Sequence, residues 1–99
     1  MATGKITKEI VKLKNEGRIS KFTIENEFVG PNGIHELNIS IYIKYDVFSK
    51  NIVRVLSAFS EFCLDVLKEI TVDRGSNAYI WEIKDTTLLH IGRLFLYVS

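Results

Sequence analysis

KNIVRVLSAFSEFCLDVLKEI, residues 50–70, is the stretch on which the fold turns. On a 3.6-residue repeat, Ile52, Val53, Val55, Leu56, Phe59, Phe62, Cys63, Leu64, Val66, Leu67 and Ile70 sweep a little over half the circumference. Arg54, Ser57, Glu61, Asp65, Lys68 and Glu69 fill the rest. The spacing predicts one long helix, capped at its start by Ser49. So wide an apolar arc needs cover on more than one side, from its own sheet or from a second copy of the chain.

Outward from this stretch the chain divides into short elements. Residues 4–16, GKITKEIVKLKNE, place Ile6, Ile10 and Leu13 on one helical face, with Thr3 able to cap the start and Gly17 able to take the left-handed position after the end. Val11 and Leu13 also alternate with lysines, a strand-like pattern, but Lys, Glu and Leu favour the helix. Residues 20–29 alternate, with Phe22, Ile24, Asn26 and Phe28 on one side. GPNG at 30–33 is turn chemistry. Residues 34–45 alternate again, with Leu37, Ile39, Ile41, Ile43 and Tyr45 on one face and Glu36, Asn38, Ser40, Tyr42 and Lys44 on the other. This is an antiparallel hairpin with one wet face.

After the long helix, TVDRGSN at 71–77 reads as a loop, and residues 78–84 and 88–98 as a second hairpin that is apolar on both faces. The expectation is a single α+β domain over residues 1–99, of order α-β-β-α-β-β. Its four-stranded antiparallel sheet carries both helices on one face. The last strand must then be central and covered on both sides, or its second face must be a contact surface.

Composition narrows the setting. One cysteine, Cys63, excludes an intrachain disulfide and fits a reducing compartment. Neither a signal-peptide core nor a membrane-length apolar run is present, so a cytoplasmic protein is expected. Thirteen isoleucines against three alanines hint at an AT-rich genome, bacterial, archaeal or viral. A phage or viral accessory protein acting on a host factor would fit.

Chemistry is sparse. Gly30, Gly33 and Gly75 fall in turns, not in a phosphate-binding loop. His35, His90 and Cys63 have no metal-ligand spacing, and neither a metal nor a cofactor is expected. His90, Cys63, Asp73 and Ser76 are the candidates for acid–base or nucleophilic work, yet each has an ordinary structural reading. His90 suits an imidazole satisfied by a neighbouring backbone group or carboxylate, Cys63 a buried small hydrophobe, and Asp73 and Ser76 a loop. The expectation is a protein that is not an enzyme.

Two binding readings follow. The first is a homodimer or protein-binding module, using Tyr79, Trp81, Leu94, Leu96 and Val98 of the second hairpin or the surplus face of the long helix. The second is nucleic-acid binding through Lys5, Lys8, Lys12, Lys14, Arg18 and Lys21. Only Glu9 and Glu16 oppose these cations within the first 21 residues. No aromatic residue is interleaved with them, as single-strand binding favours; Tyr42 and Lys44 come nearest to that pattern.

Overall fold

The computed structural model describes residues 3–29, 34–73 and 76–99. The turn expected at 30–33 and the Arg74–Gly75 part of the expected loop lie outside the described residues. Two helices and five strands follow one another as α1 (Thr3–Asn15), β1 (Lys21–Val29), β2 (Ile34–Ile43), α2 (Tyr45–Ser57), β3 (Cys63–Asp73), β4 (Ser76–Lys84) and β5 (His90–Val98). The α+β class matches the sequence pattern. The sheet has a fifth strand and one parallel pair that the pattern did not foretell.

Residues 50–70 do not form the one long helix that their spacing predicts. The helix begins at Tyr45, not after Ser49, and stops at Ser57. Lys44 sits extended before it without a side-chain cap, and the Tyr45 amide donates to the Ser99 carbonyl 2.6 Å away. Tight turns follow, in which the amides of Phe59 and Phe62 close on the carbonyls of Leu56 and Phe59. Residues from Cys63 onward are strand. Cys63 is therefore a half-buried residue at the start of β3, not part of a helical core.

Strand order across the sheet is β1-β2-β5-β4-β3. Neighbours pair antiparallel except β2 and β5, which run parallel in the middle. That seam sets Ile39 beside Leu94, Ile41 beside Leu96 and Ile43 beside Val98, all buried. Ile6, Ile10 and Leu13 of α1, and Val55 and Phe59 in and after α2, are buried in the same cluster, so one sheet face is the core. Each Leu or Ile so buried contributes about 1.5–3 kcal/mol.

Local signals close the C-terminal end of α1. Gly17 takes φ 75, and the amides of Gly17 and Arg18 return to the carbonyls of Lys14 and Leu13. Arg18 then reaches across to Asn51 of α2 at 2.9 Å, and the Asn51 amide donates to the Val47 carbonyl. This half-buried polar link ties the turn after α1 to the second helix, and only the tertiary fold makes it visible.

Gly92 permits the seam. A Cβ built there would lie 1.7 Å from the Leu37 carbonyl oxygen, a contact no side chain can accept. Gly92→Ala is expected to destabilise the protein by about 3 kcal/mol or more, because β2 and β5 must part. Urea unfolding of the variant measures this, and a cost below about 0.5 kcal/mol, that of a harmless surface change, would show that the strands are not in this contact.

Candidate functional site

The face of the sheet opposite the helices carries four rows of side chains, read from the strand register. In the first, Lys21, Tyr42, Tyr97, Ala78 and Ile70 run from β1 to β3. Thr23, Ser40, Phe95, Ile80 and Lys68 make the second. Glu25, Asn38, Arg93, Glu82 and Asp65 make the third. Glu36, His90, Lys84 and Cys63 make the fourth. Every carboxylate in these rows lies in the third and fourth, while the first two hold Lys21 and Lys68 and no acid.

Three rings dominate the first two rows. Tyr42 and Tyr97 stack across the parallel seam, with centroids 4.8 Å apart and planes at 15°. Phe95 continues from Tyr97 at 6.5 Å and 12°. The Lys21 ammonium sits 4.4 Å from the centre of the Tyr42 ring, a cation–π contact at the end of the stack. Burial, with a smaller contribution from Tyr42, pushes the Tyr97 phenol above its ordinary pKa. All three rings are half-buried by one another.

The charged rows form a network. His90 Nδ1 lies 2.7 Å from Glu82 and Nε2 3.3 Å from Glu36, so the ring bridges two carboxylates, and it can donate to both only as the imidazolium. Lys84 pairs with Asp65 at 2.8 Å and Glu82 at 3.7 Å. The hydrogen bond to Asp65, and then the charge of Asp65, raise the Lys84 pKa. Asn38 Oδ1 is buried in the third row without a hydrogen-bond partner. Past β4, the Asp85 carboxylate accepts from the Thr87 hydroxyl, the Leu89 amide and the Thr87 amide, and these bonds, the hydroxyl's above all, hold its pKa low. This clamp closes the turn in which Leu88 takes φ 67.

The residues singled out from sequence scatter. Trp81, Leu94, Leu96 and Val98, expected at a subunit contact, are buried in the core of one chain. Tyr79 packs against that core, stacked on Phe48. They are inside because β4 and β5 are both interior strands and this is their helix-covered face. The second face of β5, carrying Phe95 and Tyr97, stays uncovered.

The six cations do not gather on one surface. Lys21 is on the open face, whereas α1 lies on the other. Lys5 is paired with Glu61 at 2.6 Å, and Arg18 is held by Glu16 and Asn51. His90 and Cys63 share the fourth row, with Lys84 between them, while Asp73 and Ser76 pair at the other end of β3 and β4. Two hollows of about 480 and 450 Å³ flank the start of α2, and neither is lined by His90 or Cys63. The stacked rings were missed because their partners lie on strands distant in sequence; their alternation with Leu94, Leu96 and Val98 was the one available signal.

No family model matches this chain, and no curated protein or solved structure matches it. Among the described residues, no helix is long and apolar enough to cross a membrane.

Two predictions arise here. His90→Ala removes the ring that lies between the Glu36 and Glu82 carboxylates, so the variant loses stability and regains part of it in high salt, which screens the two charges. Denaturant titrations at two ionic strengths check this, and a salt-independent loss would contradict it. Asp85 stabilises the β4–β5 turn fully above the usual carboxylate pKa of about 3.9 and loses that contribution as pH falls through its lowered folded value. The Leu89 amide should therefore stay protected from exchange at pH 4 and become labile in stronger acid.

Proposed function

We propose that this protein is a non-enzymatic binding module and that the open sheet face holds single-stranded nucleic acid. The carrying observation is the stack of Tyr42, Tyr97 and Phe95 on two central strands, capped by Lys21. Sequence alone offered lysines without aromatics; the fold brings the two together. Bases stack on such rings whatever their sequence, while flanking cations meet the phosphates.

Charge segregation supports the same reading. From Lys21 on β1 to Lys68 on β3 the acid-free rows cross four strand spacings, about 19 Å. The carboxylates of the third and fourth rows border that track on one side and disfavour a backbone placed over them. A strand laid across the sheet, along the first two rows, therefore meets rings in the middle and a cation at either end. The hydroxyls of Thr23 and Ser40 lie along the way and can donate to phosphate or base.

Binding of a mixed-sequence single strand, followed by fluorescence anisotropy, tests the proposal. Tyr97→Ala and Phe95→Ala should each weaken it by about 1–3 kcal/mol, and a duplex of the same length should compete poorly. With Lys21 and Lys68 on phosphates, log affinity should fall with log salt at a slope of about −1.4. Absence of binding at low salt would overturn the reading. So would binding that ignores Tyr97 and Lys21 but is lost on Lys8→Glu with Lys12→Glu, which would move the site to α1.

A further inference from the structure

The two edges of the sheet differ. Along β1 the open-face positions are Lys21, Thr23 and Glu25, polar groups that guard a free edge. On β3 every residue from Asp65 to Glu69 is exposed, and at the centre two adjacent apolar side chains point outward, Val66 at 69% exposure and Leu67 at 50%. Unpaired backbone beside exposed apolar residues is a template for another strand.

We infer that the β3 edge pairs antiparallel with the β3 edge of a second copy of this chain. The register follows from a bulge between Val66 and Lys68, which makes Leu67 an extra residue. Asp65 and Lys68, three positions apart, consequently lie on the same open face, opposite Glu82 and Ile80 of β4. A two-fold axis between Val66 and Leu67 then sets Asp65 of each copy against Lys68 of the other. Leu64 falls opposite Glu69 on the helix side, and Cys63 opposite Ile70 on the open side. Each of these pairs shares a face, as antiparallel pairing demands, and the bulge is what makes them agree. Opposite charges face twice and the four apolar side chains meet at the axis. Such a contact joins two five-stranded sheets into one, with both ring stacks on a continuous face. It does not rest on the nucleic-acid reading, although Lys68 takes part in both.

Cross-linking tests it in the full chain. Residues paired across antiparallel strands have Cα atoms about 5 Å apart, within the span a disulfide bridges. Within one chain, Cys63 and residue 70 stand roughly 23 Å apart along the strand and cannot meet. Ile70→Cys should therefore give a covalent dimer under mild oxidation, lost when Cys63→Ser is added. Unmodified protein should dimerise reversibly through the micromolar range in sedimentation velocity. Val66→Lys with Leu67→Lys, both at exposed sites that leave the core intact, should abolish that, circular dichroism confirming the fold. Lys68→Asp, which leaves the Asp65–Lys84 bridge in place, should weaken the dimer by roughly tenfold or more, and adding Asp65→Lys should restore it, because the swap recreates both intersubunit pairs. A protein that stays monomeric through this range, or a dimer untouched by the double lysine variant, would overturn the inference. The second outcome would put self-association on the ring-bearing face.

Discussion

Everything in this molecule hangs on the parallel contact between β2 and β5. It joins the β1–β2 pair to the β3–β4–β5 unit, and among the described residues no other strand pairing does so. The join is tight where Gly92 passes the Leu37 carbonyl, and it continues beyond the strands, where the Ser99 amide donates to Ile43 and the Ser99 carbonyl accepts from Tyr45. The same seam starts α2, aligns the Ile39, Ile41 and Ile43 side chains with Leu94, Leu96 and Val98 beneath the helices, and stacks Tyr42 on Tyr97 on the opposite side. Core and surface site are thus two faces of one pairing.

Local patterns were legible where they had a single period. α1 shows Ile6, Ile10 and Leu13 on one face and Gly17 past its end, and each lies where that pattern puts it. β1 and β2 alternate cleanly. The failure came at residues 50–70, for two physical reasons. Phe59 and Phe62 extend the helical spacing through turns that are not helix. The bulge at Leu67 then breaks the two-residue period of β3, so Leu64, Leu67 and Ile70 keep a three-residue spacing that mimics a helix face. An inserted residue changes side-chain direction without changing composition, so no propensity scale registers it.

The candidate site was half legible. The last strand stood out as apolar on both faces, with central and covered or exposed for contact as its alternatives, but the side expected to make contact was that of Leu94, Leu96 and Val98, not that of Phe95 and Tyr97. The structure combines them: β5 is central, covered on the Leu94 side and open on the Phe95 side. Pairing of Tyr42 with Tyr97, and of Lys21 with Tyr42, depends on a parallel seam between strands some fifty residues apart and has no local signature. The same holds for His90, whose carboxylate partners come from β2 and β4.

Residue-by-residue amide hydrogen exchange tests the seam most directly. If β2 and β5 form the central parallel pair, the amides of Ile39, Ile41, Leu94 and Leu96 are the slowest in the chain and exchange only with global unfolding. Residues 63–70 then show strand-like shifts. Fast exchange across 37–43 and 92–98, or helical shifts continuing from Ser57 to Ile70, would contradict the account.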